Sequence, residues 1–304
     1  MSSDGRFSVA TGASEKMDKK RKVRERFPTG PMIPLPYQFN MLGDAQRTAA
    51  FREVILSVVH RDHIVLDLGA GVGILSLFAA ERAQRVIAVE ADSRIASVAR
   101  TAIRCLGLSQ KVTVLIADIL TLRTSIGADV CICEMIDAGL LSELQVPVMN
   151  YAISKLLKPN PVVIPRKAYL SIELVHVDYE FFGYTFPLPH YESLEVRAAD
   201  TVLSNRMVYK TLNFATVNDV KVNETIFLTV TAPGLANSLR IFTSVEVGNG
   251  IIVGNTAWFA HPLILPFSDK RVAEGDQIRV HLRYEFGSGW DKLRYEVESR
   301  GDIQ

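Results

Sequence analysis

The string Asp67-Leu68-Gly69-Ala70-Gly71-Val72-Gly73 is the first stretch of this chain whose residue types and spacing can do chemistry. It follows a short apolar run, Ile64 to Leu68, and precedes a helical pattern from Ile74 to Ala83. Glycines at a strand-to-helix turn adopt backbone conformations that other residues avoid, and they let a ligand approach the main chain closely. A dinucleotide fingerprint needs its third glycine three places after the second. Here Ile74 holds that place and Gly73 comes one residue early. The Asp-x-Gly-x-Gly-x-Gly form is the one associated with S-adenosylmethionine. Glu90 ends the next predicted strand, 21 residues after Gly69, where a carboxylate can accept both ribose hydroxyls. Asp118 follows the third predicted strand, where a side chain can meet an adenine edge.

A second constellation is Glu134 and Glu143. Glu134 immediately follows an apolar strand, Ala128 to Cys133, and the segment Met135 to Ser142 can loop back to present both carboxylates to one pocket. A guanidinium is a planar fork of five donors that stays charged, and two carboxylates can grip it from two sides. Such a pair neutralises the cation and orients one terminal nitrogen toward a sulfonium methyl, by positioning and electrostatics rather than acid chemistry.

These residues need elements to hold them. Apolar residues recur at helical spacing from Asp44 to about His60, and again from Asp92 to Leu106. Arg85 to Glu90, Val112 to Ile116 and Ala128 to Cys133 read as strands. Alternation at this spacing predicts βαβ units and a parallel sheet with helices on both faces. Around Lys158, Pro159, Pro161 and Pro165 the rhythm breaks. Beyond it, Ala168 to Val177, Thr225 to Thr231, Ser238 to Val247, Gln277 to Phe286 and Lys292 to Val297 read as strands, with a hairpin turn at Gly287-Ser288-Gly289. The expected architecture is α/β: a Rossmann-like class I S-adenosylmethionine methyltransferase domain over residues 37–165, then a mostly antiparallel, barrel-like domain over 166–304. Residues 1–36 lack an apolar period and read as a mobile basic arm carrying Lys16, Lys19, Lys20, Arg21, Lys22, Arg24 and Arg26, with Pro28, Pro31, Pro34 and Pro36 holding the chain extended.

The bulk numbers narrow the rest. The chain has 304 residues and a formal net charge of +1, so no overall field draws it to nucleic acid or an anionic membrane. No apolar run is long enough to cross a bilayer, and the first thirty residues are not signal-like. Three cysteines, Cys105, Cys131 and Cys133, form no metal-ligand pattern and suit a reducing cytoplasm, with Cys131 and Cys133 expected as buried thiols. No metal site is expected.

From about Tyr37 to the C-terminus the chain resembles the protein arginine N-methyltransferases. The matching motifs are Met41-Leu42-Gly43-Asp44-Ala45-Gln46-Arg47, the glycine string, Glu90 and the two-glutamate loop. The loop's wording is closer to the monomethylating members than to the asymmetric dimethylating ones. The resemblance implies that Arg47 pairs with the methionine carboxylate of S-adenosylmethionine, and that Glu134 and Glu143 clamp the acceptor as catalytic residues. It also implies a cofactor shell of Asp67, Gly69, Gly71, Gly73, Glu90, Ala91, Asp118 and Ile119, with Met41, Asp44 and Trp258 in the acceptor pocket. The family's Thr-His-Trp loop matches Thr256-Ala257-Trp258, so the histidine that pairs with the aspartate at Asp44 is absent; His261 is a candidate substitute. The helix that closes over the cofactor has only Tyr37 and Phe39 as candidates. The dimerisation arm would fall between about Asp178 and Arg206, whose aromatics otherwise read as local core. The implied acceptor is free L-arginine or arginine in a protein, and the implied assembly a homodimer. The alternatives are a non-catalytic cofactor-binding scaffold of the same fold and a methyltransferase for RNA or another small molecule.

Overall fold

Ile64, Val65, Leu66 and Leu68 put apolar side chains on both faces of a strand, which demands cover from both sides. A computed structural model, describing residues 34–123, 126–192 and 201–299, supplies that cover. The chain begins with α1 (Leu35–Gly43) and α2 (Ala45–Val58), followed by β1 (Ile64–Leu68), α3 (Ile74–Ala80), β2 (Arg85–Glu90), α4 (Ser93–Cys105) and β3 (Val112–Ile116). It continues with β4 (Ala128–Cys133), α5 (Gln145–Lys155) and β5 (Leu157–Ile164). The five strands form one parallel sheet in the order β3-β2-β1-β4-β5. The chain runs outward from β1 to β3 and then returns to β4 on the other side of β1. The carboxyl ends of β1 and β4 therefore flank the switch point, where such sheets bind ligands.

Local signals explain several boundaries. Asp44 caps α2 by accepting the Arg47 N–H at 3.1 Å, and Asp92 caps α4 by accepting the Arg94 N–H at 2.8 Å. α4 turns Ile95, Ala96, Ala99 and Ile103 inward at helical spacing. The basic cluster, Pro28 and Pro31 lie outside the described residues. Pro34 is extended, as expected, and caps α1, whereas Pro36, also expected in extended chain, lies in the first turn of α1, where a missing N–H leaves no helix bond unmade. The break expected near Pro159 and Pro161 is also corrected, because β5 runs through it. β5 lies at the sheet edge, where prolines are tolerated.

The second half contains β6 (Lys167–His176), β7 (Glu180–Phe181), β8 (Tyr184–Thr185), β9 (His190–Tyr191), β10 (Thr201–Val202) and β11 (Met207–Asn213). β12 (Lys221–Thr229), β13 (Gly234–Gly248), β14 (Ile251–Gly254), β15 (Leu263–Val272), β16 (Gln277–Glu285) and β17 (Arg294–Glu298) follow. They make a seven-stranded sheet built on β10-β6-β13-β15-β9, with β11 on β6 and β14 on β13, a three-stranded sheet β12-β16-β17, and the hairpin β7-β8. All these pairings are antiparallel. No pairing among the described residues closes the strands into one barrel. The turn expected at Gly287-Ser288-Gly289 is a longer hairpin loop that includes a 3₁₀ turn, Trp290–Lys292.

One apolar cluster spans both halves, joining Phe51, Leu66 and Ile132 to Leu140, Leu170 and Val245. A Cβ on Gly248 of β13 would sit 2.7 Å from a Val54 methyl of α2, so the helix packs its Val54 side chain directly on the strand backbone. Cys131 and Cys133 are fully buried. The aromatic run after Asp178 is not core. Only Tyr179 is buried, whereas Phe181, Tyr184 and Phe186 are exposed and Phe182 is 100 % exposed, because β7 and β8 pair only with each other. Among the described residues, no helix is long and apolar enough to cross a membrane.

Candidate active site

The glycine turn opens a cleft at the carboxyl ends of the parallel strands. Gly69, Gly71 and Gly73 have φ of +70°, +57° and +90°, values that favour glycine. A Cβ on Gly69 would lie 3.0 Å from the Met135 side chain, and one on Gly71 would lie 2.8 Å from Gln38 Oε1. Gly73 differs: its missing Cβ faces Ala99 of α4, and it does not line the cleft. Glu90 is held from both sides, since Oε2 accepts the Gly71 N–H at 2.9 Å and Oε1 the Asp92 N–H at 2.8 Å. Asp67 is buried and accepts the Ser76 hydroxyl at 2.6 Å, bracing β1 against α3. Burial pushes the Asp67 carboxyl up to about 7, against the Ser76 bond that lowers it. Ala91, Asp118 and Ile119 complete this wall, with Asp118 accepting the Leu120 N–H at 3.0 Å.

The opposite wall carries the acids. Arg47 Nε donates to Glu134 Oε2 at 3.0 Å, and Arg47 Nη2 donates to the same oxygen. Arg47 Nη1 donates to the Met41 carbonyl at 3.2 Å. Burial alone would lower the Arg47 pKa; the Glu134 carboxylate overrides it and holds the guanidinium up. Glu143 also lines the cleft, and burial, then Asp137 and Glu134, push its carboxyl well above the usual range. Glu143 is half-buried at the lining of the cleft. Met41 and Trp258 share this wall.

The loop between the two glutamates is fixed from three directions. Gln145 accepts the Met135 N–H at 2.9 Å and donates to the Cys133 carbonyl at 2.9 Å. Gly139, at φ +69°, donates its N–H to Thr243 Oγ1 of β13 at 2.8 Å, and its carbonyl accepts Tyr284 Oη of β16 at 2.8 Å. Asp137 Oδ2 accepts the Ser142 N–H at 2.8 Å. Gln145, Gly139 and Asp137 carry no sequence expectation. Their signals were a glycine and an acid inside the loop, visible but without an assigned partner.

Asp44 lies behind the cleft rather than in its lining. Its Oδ2 accepts both the Thr256 hydroxyl and the Trp258 N–H, the latter at 2.9 Å. His261 is not among its hydrogen-bond partners and stands edge-on to Trp258 with ring centroids 6.5 Å apart. With Ala257 at the histidine's place, Asp44 ties α2 directly to the Thr256–Trp258 loop. Asp44→Ala removes a helix cap and unpairs buried donors, for an expected loss of about 2–4 kcal/mol. Urea denaturation checks it, and an unchanged midpoint would show that the tie carries no stability. α1 supplies the cover: Tyr37 meets Trp258 edge-to-face at 5.6 Å, and burial, with Glu143 and Glu134, pushes the Tyr37 phenol up to about 12. Phe39 is 75 % exposed and takes no part.

A glycine turn that a Cβ would fill, an acid fixed after the second strand and one buried cation suit a ligand that joins a nucleoside to an amino acid. With the strand order around it, this defines an S-adenosylmethionine-dependent methyltransferase, and S-adenosylmethionine is its cofactor.

The comparisons agree. The family model for ribosomal RNA adenine dimethylase matches residues 50–132, which is the cofactor half, and ends two residues before Glu134. An uncharacterized protein of Methanothermobacter thermautotrophicus is 35 % identical, over 86 % of this chain and 97 % of its own length. The probable protein arginine N-methyltransferase 1.2 of Arabidopsis thaliana is 32 % identical over 72 % of this chain, which spans 61 % of that relative. The arginine N(omega)-methyltransferase of Streptomyces achromogenes is 33 % identical over 47 % of this chain, which spans 41 % of that relative. A Trypanosoma brucei PRMT1 enzyme-prozyme complex with AdoHcy superimposes with a TM-score of 0.70 at 19 % identity, covering 86 % of this chain and 96 % of its own. The chain belongs to one family with the Methanothermobacter protein; the Arabidopsis relative and the Trypanosoma neighbour are named as protein arginine methyltransferases, and the Streptomyces relative as an arginine methyltransferase.

Proposed function

We propose that the chain methylates a terminal guanidino nitrogen of arginine, giving mainly monomethylarginine, with free L-arginine or arginine in a protein as acceptor. The observation that carries this reading is the fork between Arg47 and Glu134. Within the chain itself, the acid at the end of β4 already holds a guanidinium by two N–H groups, in the cleft that the glycine turn opens. Glu143 faces the same space and supplies a second carboxylate for an incoming cation.

When bound, S-adenosylmethionine supplies an electrophilic methyl on its sulfonium. Glu90 would hold the ribose end, with Ala91, Asp118 and Ile119 available to the adenine. Arg47, kept charged by Glu134, would take the methionine carboxylate. Glu134 and Glu143 then orient the acceptor nitrogen, while Met41, Tyr37 and Trp258 exclude water from the approach.

Purified protein with methyl-labelled cofactor, offered free L-arginine and separately an arginine-rich peptide, tests the reading by mass spectrometry. Label on either acceptor supports it, and the labelled one names the substrate class. Label on neither, with cofactor bound, would overturn the arginine reading and leave a cofactor-binding scaffold or a methyltransferase for another acceptor.

A further inference from the structure

Glu143 has a second acid behind it. Asp137 precedes the short 3₁₀ turn Ala138–Leu140 and folds back on its own loop, with Oδ2 on the Ser142 N–H. Its other oxygen, Oδ1, is shielded from solvent and has no hydrogen-bond partner. A buried carboxylate oxygen in that position is costly when ionised and tolerable when it carries a proton.

Among the described residues, no ion pair reaches Asp137 or Glu143. On the cleft side stand Glu134 and Arg47, and Glu134 takes the fork of Arg47. From β9, β11 and β16 the phenols of Tyr191, Tyr209 and Tyr284 are near enough to feel the Asp137 charge, and burial pushes all three above their ordinary value. Glu134 and Glu143 thus answer to one guanidinium, that of Arg47. Burial moves Asp137 up to about 7, against the backbone N–H groups of Ser142 and Glu143 that lower it. After burial, the Asp137 charge is the next cause that raises Glu143, so these two acids of one loop titrate as a unit.

We propose that Asp137 is a positioning residue for Glu143: the two hold one proton between them until a guanidinium enters, and Asp137 then keeps Glu143 basic enough to accept the proton that methylation releases. The proposal rests on the arginine reading. Its balance is simple. The nitrogen's electron pair forms the new N–C bond, the pair of the broken S–C bond stays on sulfur, and the acceptor enters and leaves with one positive charge. One proton bound to the nitrogen must therefore depart, and Glu143 receives it before passing it to the cleft solvent. Ala257 provides no base at the place where a histidine would stand, which leaves this duty to the carboxylates.

The test begins with the unaltered protein saturated with S-adenosylhomocysteine. Titration with L-arginine and, separately, with N-acetyl-arginine amide at pH 7, in buffers of different ionisation enthalpy, should show about one proton released per ligand bound. Binding without proton release overturns the shared proton. Binding of no arginine ligand overturns the arginine reading, and this inference with it. Asp137→Asn should move the acidic limb of the kcat–pH profile down by about one unit or more and release fewer protons on binding. An unmoved limb with an unchanged proton count would overturn the role of Asp137. A further readout needs no substrate. Asp137 has a folded value raised above its unfolded one, so its contribution is lost as pH rises from about 4 to about 7. Asp137→Asn should therefore gain melting temperature over the parent at pH 8 and little at pH 4.5. A gain that does not grow with pH would mean that Asp137 is ionised in the fold. If the variant does not fold, the calorimetry decides alone.

Discussion

Glu134→Gln is expected to cut methyl transfer by roughly a hundredfold to a thousandfold, the range seen when one preorganised electrostatic contact to a transition state is lost. The amide keeps the shape of the carboxylate but cannot neutralise a guanidinium. The structure adds a secondary effect, because Glu134 also takes both donors of the Arg47 fork. Cofactor binding should therefore weaken, by about tenfold or less, as one charge-assisted contact becomes a neutral one. Single-turnover assays with labelled cofactor read the first effect, and equilibrium dialysis of S-adenosylhomocysteine reads the second. Normal turnover in this variant would end the two-glutamate mechanism. A collapse of cofactor binding with little loss of transfer at saturation would make Glu134 a support for Arg47 and nothing more.

Arg47→Ala should do the reverse and strike stability and cofactor affinity together. Arg47 and Glu134 are both nearly buried, with side chains 7 % and 9 % exposed, so removing the cation leaves a carboxylate without its partner. Breaking one side of such a pair costs about 3–5 kcal/mol. The midpoint of urea unfolding should fall accordingly, and cofactor affinity should drop at least about tenfold. Arg47→Lys separates the two contributions, since it keeps the charge but loses the planar fork. Recovery of stability without recovery of cofactor affinity would assign the fork to the cofactor. An unchanged cofactor affinity in Arg47→Ala would remove Arg47 from that site.

The parallel half was legible in the sequence because its signals are local. Ile64 to Leu68, Arg85 to Glu90, Val112 to Ile116 and Ala128 to Cys133 are strands with the expected bounds, and each is a run of apolar residues set by its own immediate neighbours. β5 was not legible, because Pro159 and Pro161 read as breakers until the sheet order shows them at an edge. α5 was missed because Gln145 and Pro147 stand in its first turn, and the buried duty of Gln145 toward Cys133 and Met135 has no sequence signature. The candidate site divides the same way. The glycines, Glu90 and the two glutamates announce themselves by spacing. The Arg47–Glu134 fork joins residues 87 positions apart, and the Asp44–Thr256 bond joins residues 212 apart. The exposed aromatics after Asp178 show the converse failure, since composition alone could not tell a buried cluster from a projecting hairpin.

The fastening of Gly139 has a consequence for how the molecule is made. Its two holders, Thr243 and Tyr284, lie 104 and 145 residues downstream. While the chain is being synthesised, every strand of the parallel sheet and the glycine turn are complete long before β16 exists. The Gly69–Gly73 turn and Glu90 thus precede in synthesis both holders of the acceptor loop. The loop between Glu134 and Glu143 can therefore take its final fastening only after β13 and β16 have been made.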